Sequence, residues 1–123
     1  MNVPGFLVRR FYVQGSLRNA PDGFTLQAQN TLGDGRLIGL GRLSVDERTI
    51  DPRAVTAVRE SDGARFPAAE VSPTSPIAVR QGDRVTLHVA GEPLSPGEHR
   101  LEVEIYERDL GLLRFSVSDR LVG

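Results

Sequence analysis

The chain has no cysteine, no tryptophan and no lysine among its 123 residues. The absence of cysteine excludes disulfides, thiolate nucleophiles and cysteine-based zinc sites, and it is typical of a cytoplasmic protein. Aromatic residues make up 6% of the chain. This scarcity argues against an autonomous sugar-binding domain, because such domains usually display exposed aromatic platforms.

An excess of charge of one sign is also missing. All fifteen basic residues are arginine, they face sixteen acidic residues, and the net charge is −1. Such a balance gives no electrostatic basis for binding nucleic acid or anionic membranes. No apolar run approaches the roughly 20 residues that span a bilayer, and residues 1–5 lack the basic region of a signal peptide. We therefore expect a cytoplasmic protein with one domain, residues 1–123.

Alternation of apolar and polar residues is clearest in residues 84–117. A period of two sends every second side chain to the same face, so this stretch predicts three successive antiparallel strands that turns join into one sheet. Turn signals every 8–12 residues divide the rest of the chain into further short strands. The pattern predicts an all-β fold, an antiparallel, immunoglobulin-like β-sandwich of about eight to ten short strands. Residues 67–71 are the one segment expected to form a short helical turn.

The first predicted strand, residues 6–13, is apolar on both faces. Phe6, Val8 and Tyr12 share one face with Arg10. Such a strand is either buried on both sides or packs one face on the core and offers the other to a partner chain. Aromatic residues and arginine are common anchors of interfaces, so we predict a partner interface at these four residues.

Four closely spaced glycines follow in the middle of the chain, at positions 33, 35, 39 and 41. A glycine-rich phosphate loop needs a helix start after it and, in the Walker form, a lysine. Neither is present here. The glycines therefore predict tight turns, bulges or close approach of the backbone to a neighbouring strand.

The residues that could carry out chemistry are few. His88 could lie beside Glu102 or Glu104, either as a general base or half of a metal site, or as a solvated cross-strand pair. His99 begins a strand after a Pro-Gly turn and is expected to be structural. Glu102 and Glu104 are expected to share one strand face opposite Arg84 and Arg114, on a flat outer surface instead of in a catalytic cleft. We predict no catalytic residue and no metal site in this chain.

Over nearly its full length the chain resembles the small β subunit of the bacterial C-glycoside deglycosidases. The resemblance concerns the fold and the positions of the turn-forming glycines and prolines, because no catalytic motif takes part in it. Its carriers are residues 3–7 (VPGFL), 30–35 (NTLGDG), 39–41 (GLG), 91–99 (GEPLSPGEH), 110–111 (LG) and 115–117 (FSV).

The resemblance implies a non-catalytic β subunit that assembles with a larger TIM-barrel α subunit and stabilises it. In that family the α subunit carries a divalent metal, usually manganese, and the complex cleaves the carbon–carbon bond between a 3-oxo sugar and its aglycone. The 3-oxo group acidifies the neighbouring C–H, so that a base and a Lewis-acid metal can drive elimination. The base and the metal ligands belong to the α subunit, and the 3-oxo-C-glycoside is bound mainly there.

Two other functions remain open on the sequence. A stand-alone immunoglobulin-like binding module would be a stable monomer with its binding site in loops. An autonomous enzyme would use His88 with Glu102 or Glu104. The residues by themselves do not name a reaction, so the lyase-subunit prediction depends on the resemblance.

Overall fold

The structure, a computed structural model, describes residues 10–122. Within this part the chain forms ten strands and two single 3₁₀ turns. In chain order they are β1 Arg18–Ala20, β2 Gly23–Gln29, β3 Gly35–Val45, β4 Arg48–Thr49, a 3₁₀ turn Pro52–Ala54, β5 Val55–Arg59, β6 Ala64–Pro67, a 3₁₀ turn Ala68–Glu70, β7 Ile77–Val79, β8 Arg84–Ala90, β9 Gly97–Glu107 and β10 Gly111–Leu121.

Two antiparallel sheets divide these strands. The first has the order β1-β2-β8-β5-β6, and the second has the order β10-β9-β3-β4, with β7 paired to the start of β3. The chain order of the strands matches the immunoglobulin arrangement of strands A-B-E-D on one sheet and G-F-C on the other. The all-β sandwich predicted from the sequence is therefore confirmed.

The prediction for residues 84–117 is partly wrong. The second and third strands of that stretch, β9 and β10, do pair as a hairpin over eleven residue pairs from Gly111↔Glu107 to Leu121↔Gly97. The first strand, β8, instead lies between β2 and β5 in the other sheet. The loop before β9, residues 91–96, carries the chain from one sheet to the other. Alternation fixed which face of β8 is buried, but it carried no information about its neighbours in the sheet.

The predicted first strand is also wrong where the structure describes it. Arg10 and Phe11 are helical, and Tyr12 forms a single bridge to Ala28 rather than a strand. The remainder of that prediction, residues 6–9, lies outside the described residues. The helical turn expected in residues 67–71 is present as Ala68–Glu70.

The glycine-rich segment forms the bulged strand β3, as predicted. The pairing of β3 with β9 shifts register between Leu37 and Gly39 and again between Leu40 and Leu43. A Cβ atom at Gly41 would lie 3.0 Å from the Cβ of Glu104 on β9. Glycine is therefore needed at this position because the two strands approach closely.

The core consists of two clusters of buried apolar residues between the sheets. The larger cluster contains Leu17, Phe24, Leu101 and Phe115 among others, and Leu94 packs against it. The smaller cluster is formed by Ala57, Ile77, Val79 and Val85. No helix in residues 10–122 has the length and apolarity needed to cross a bilayer.

Candidate functional site

A cavity of about 320 Å³ lies between the two sheets, where the two core clusters meet. Its wall takes residues from both clusters, with Leu26 and Phe115 from the larger one and Val79 and Val85 from the smaller. The apolar atoms that face this space lack the packing contacts that a filled core would give them.

The cavity opens at the end of the sandwich where β9 turns into β10, which we call the open end. Its rim is formed by Leu32, Asp34, Asp109 and Leu110. Leu32 and Leu110 are 54% and 49% exposed and are two of the four large hydrophobic side chains on the described surface. Exposed apolar residues at the mouth of an apolar cavity mark a place where an apolar group can enter.

Glu107 organises the open end. Its carboxylate accepts hydrogen bonds from the backbone N–H groups of Arg36, Asp109 and Leu110, at 3.1, 2.8 and 2.9 Å. Burial raises the pKa of Glu107, but these backbone donors outweigh burial and hold the pKa below its ordinary value of 4.5. The ionised carboxylate therefore fixes the β9–β10 turn against the start of β3.

Tyr12 and Asp119 form the main polar cluster at the opposite, closed end of the sandwich. The Tyr12 hydroxyl donates to Asp119, and both residues are buried. The same carboxylate accepts backbone N–H bonds from Gly15 at 3.0 Å and Leu17 at 3.2 Å. Burial, followed by the hydrogen bond to Asp119, raises the pKa of Tyr12 well above its ordinary value of 10.0. The phenol is thus a neutral structural donor.

His99 lies at the same closed end and is engaged at both ring nitrogens. Nδ1 is 2.6 Å from a carboxylate oxygen of Asp46, and Nε2 is 2.7 Å from the carbonyl oxygen of Ser95. Two acceptors around one imidazole favour its doubly protonated form. The hydrogen bond to Ser95, then the one to Asp46, raises the pKa of His99 above 6.5. The structural role predicted for His99 agrees with this geometry.

The structure separates the residues that were considered for acid–base chemistry. His88 on β8 pairs with Thr25 and Thr56 in the first sheet, while Glu102 and Glu104 lie on β9 in the second sheet. The predicted neighbourhood of His88 with either glutamate is therefore wrong, because the two strands belong to different sheets. Among residues 10–122, no group of three or more His, Asp or Glu side chains is placed to hold a metal ion.

The outer face of the second sheet carries the expected carboxylates. Glu104 lies opposite Arg114 in the β9–β10 register, and Arg114 Nε is 2.7 Å from Glu104 Oε2. Beside this pair, the ring of Tyr106 lies over Gly39 and Gly41 and is 43% exposed. This face is flat because two of its positions carry no side chain.

The four predicted interface residues have different positions. Phe6 and Val8 lie outside the described residues. Arg10 is exposed, whereas Tyr12 is 4% exposed and packs inside the chain's own core. Its ring therefore lines the cavity instead of the protein surface.

Sequence reasoning missed both the cavity and the Asp119 cluster. Phe11 and Tyr12, the last aromatic residues of the predicted first strand, lie in the cavity wall. The one local sign of this placement was that residues 6–13 are more apolar than a strand with one solvent-exposed face needs to be. Asp119 sits in a stretch that otherwise looks like the end of the chain, and nothing near it in sequence marks it as buried.

Comparison with known proteins gives one family match. No curated protein matches the chain closely enough to count as a relative. The family model described as hydroxymethylglutaryl-CoA reductase, N-terminal domain, matches residues 7–122. This match covers all of the described residues, 10–122. The chain therefore belongs to the family of hydroxymethylglutaryl-CoA reductase N-terminal domains.

Proposed function

We propose that this chain is a non-catalytic subunit whose open end docks on a larger catalytic partner. The partner favoured by the sequence resemblance is the metal-dependent α subunit of a C-glycoside deglycosidase, working in the cytoplasm. In that complex the α subunit, with its divalent metal, cleaves the carbon–carbon bond between a 3-oxo sugar and its aglycone. The present chain contributes to assembly and stability.

The exposed apolar rim of the cavity is the observation that carries this proposal. Leu32 and Leu110 project from the open end, and Phe11 lines the same cavity. The predicted interface residues Phe6 and Val8 lie five and three positions before Phe11 in sequence. A partner that covers this end would remove several large apolar side chains from water.

The ionisable groups inside the fold support the non-catalytic half of the proposal. The side chains of His99, Asp119 and Glu107 each hold hydrogen bonds to other parts of this chain. A general acid or base must be able to exchange its proton with a substrate. Groups that are committed to structural bonds in this way are poorly suited to that task.

The family match favours a second candidate, in which the chain acts as an accessory domain for a hydroxymethylglutaryl-CoA reductase. The family is named for an N-terminal domain, so this candidate too assigns the chemistry to another part or chain. The two candidates differ in the enzyme that the chain serves. They share the prediction that the isolated chain is inactive.

The test is to express the full chain alone and together with a C-glycoside deglycosidase α subunit, and to measure aglycone release from a 3-oxo-C-glycoside. We expect cleavage and co-purification only when both chains are present. A parallel sample with a hydroxymethylglutaryl-CoA reductase, assayed for its own reaction, tests the second candidate. Activity of the isolated chain, or a stable monomer that binds neither enzyme, would contradict the proposal and favour a stand-alone module.

A surface variant sharpens the test. The double substitution of Leu32→Ser and Leu110→Ser removes the apolar rim without touching the buried core. We expect it to abolish co-purification with the partner. The control is Val122→Ser, which removes a side chain that is 89% exposed at the other end of β10. Equal co-purification of both variants would show that the open end is not the docking surface.

A further inference from the structure

The cavity has features of a small-molecule site that do not depend on a partner protein. Its wall is almost entirely apolar and includes Leu26, Leu37, Val85 and Phe115. Apolar cavities of this kind stay dry and accept apolar guests, as an engineered cavity of about 150 Å³ accepts benzene. The present volume of about 320 Å³ also falls within the lower range of natural ligand pockets.

Acidic residues predominate in the described lining at the mouth of the cavity. Asp34, Asp83, Glu107 and Asp109 contribute to this lining, and none of the described wall residues is arginine. One guanidinium lies beside it, with Arg108 Nε 3.7 Å from Asp109 Oδ1. A ligand with an anionic head group is therefore disfavoured there, whereas a hydroxyl or ammonium group would find acceptors.

We propose that this cavity binds a small apolar molecule with a neutral or cationic hydrogen-bond-donating end. Since it has about twice the volume that holds one benzene ring, it accommodates two rings or a chain of about ten carbons. The apolar body lies between the sheets, and the donor group lies among the carboxylates at the open end. Fatty acids and other anionic amphiphiles bind more weakly.

The probe for this site is 1-aminonaphthalene, a neutral aromatic amine of two fused rings whose fluorescence emission shifts to shorter wavelength in apolar surroundings. Titration of the full-length chain with this probe should give saturable binding at one site per chain. Decan-1-ol and decylamine should displace the probe at concentrations at least about tenfold lower than decanoate, because the mouth repels a carboxylate. Absence of saturable binding, or equal displacement by decanoate, would overturn the proposal.

A matched pair of variants on β2 locates the probe. Ala28 lines the cavity and Thr25 lies on the opposite face of the same strand. Ala28→Phe should fill the cavity and reduce probe binding at least about tenfold, and Thr25→Phe should leave binding unchanged. Both variants are checked for a cooperative thermal transition.

If Ala28→Phe does not fold, the displacement series on the unmodified chain decides the proposal. If both variants fold and bind the probe equally, the binding is not in the cavity and the proposal fails. A chain whose cavity is filled in solution by its own residues or by a second copy would give no saturable binding, which is also a negative result.

Discussion

The two ends of strand β9 differ in how they deal with buried polar groups. His99 and Glu107 lie on the same inner face of this strand, about 27 Å apart along it. At the closed end His99 and Asp119 bond to side chains and backbone that come from distant parts of the chain. At the open end Glu107 accepts backbone hydrogen bonds from the adjoining β9–β10 turn and from Arg36 at the start of β3, and an apolar cavity lies beside it.

The comparison teaches where stability and binding are located in this fold. At the closed end the hydrogen bond between Tyr12 and Asp119 joins segments that are 107 positions apart in sequence. Tyr12 bridges to β2 in the first sheet and Asp119 lies on β10 in the second, so this contact links the two sheets. The open end contains an apolar cavity that no residue of the described chain fills. A bound molecule would supply the packing contacts that are missing there. We therefore expect changes at the closed end to alter folding and changes at the open end to alter binding.

The largest effect should come from Asp119→Ala. The substitution leaves the Tyr12 hydroxyl and the N–H groups of Gly15 and Leu17 without their acceptor, and we expect a loss of about 3–5 kcal/mol in the free energy of unfolding. Urea denaturation measures it. Asp109→Ala, at the open end, removes a carboxylate that is 75% exposed and should cost under about 0.5 kcal/mol. Equal losses would break the distinction between the ends.

A smaller loss is expected from Glu107→Ala, which tests the one buried carboxylate of the described open end. Three backbone donors lose their acceptor, so the free energy of unfolding should fall by about 2–3 kcal/mol. Glu102→Ala is the matched control on the same strand. Its side chain is 42% exposed, and removing it should change stability by less than about 0.5 kcal/mol. If Glu107→Ala lowers the free energy of unfolding no more than Glu102→Ala does, the Glu107 carboxylate does not stabilise the β9–β10 turn.

The third prediction is a pH dependence of stability that arises from His99 and Asp46. The pKa of His99 is raised above 6.5, so its contribution is complete below pH 6.5 and is lost as pH rises through the folded-state pKa. The pKa of Asp46 is lowered below 3.8, so its contribution is present above pH 3.8 and is lost as pH falls through the folded-state pKa. The pair therefore stabilises the fold fully between these two values.

Denaturation at pH 6 and pH 9 measures this contribution. The unmodified chain should lose about 1 kcal/mol more than His99→Gln over that interval, since the carboxylate partner is half exposed and partly screened. Asp46→Asn should flatten the pH profile in the same way. If His99→Gln loses as much free energy of unfolding between pH 6 and pH 9 as the unmodified chain, another group causes the pH dependence and this ion pair does not stabilise the closed end.

The smallest effect, and the one gain, is expected at the β3–β4 turn. Asp46 and Glu47 both have positive φ, at 49° and 69°, as a type I′ hairpin turn requires. Glu47→Gly should relieve this strain and raise the free energy of unfolding by up to about 1 kcal/mol. Glu98→Gly, in the extended strand β9, should instead lower it by about 0.5–1 kcal/mol. A loss in both variants would show that the turn is not strained.

The sequence predicted which face of each strand is buried better than it predicted which strands lie side by side. Alternation placed Leu101 and Val103 inside and Glu104 outside correctly, because the period of two depends on local geometry alone. It assigned β8 to the wrong sheet, because strands with one apolar edge are interchangeable until loop geometry selects their partners. The crossing at residues 91–96 was visible as a stiff, proline-containing loop, but its direction was not.

The candidate site was less predictable than the fold. Tyr12 was predicted to face a partner because its segment is apolar on both sides, and the structure places it in the core with Asp119 as its acceptor. That pairing spans almost the entire chain and has no local signature. The cavity is the space left between the two sheets after they have packed, so no single residue in the sequence predicts it.

The absence of tryptophan gives the Tyr12–Asp119 contact a practical value. The chain has two tyrosines, one enclosed beside a carboxylate and the other, Tyr106, on an outer face and 43% exposed. A rigid, asymmetric setting is what produces near-ultraviolet circular dichroism from a phenol ring. The native protein thus carries a built-in optical reporter at one extremity of the sandwich, which should respond to loosening there before the far-ultraviolet signal changes.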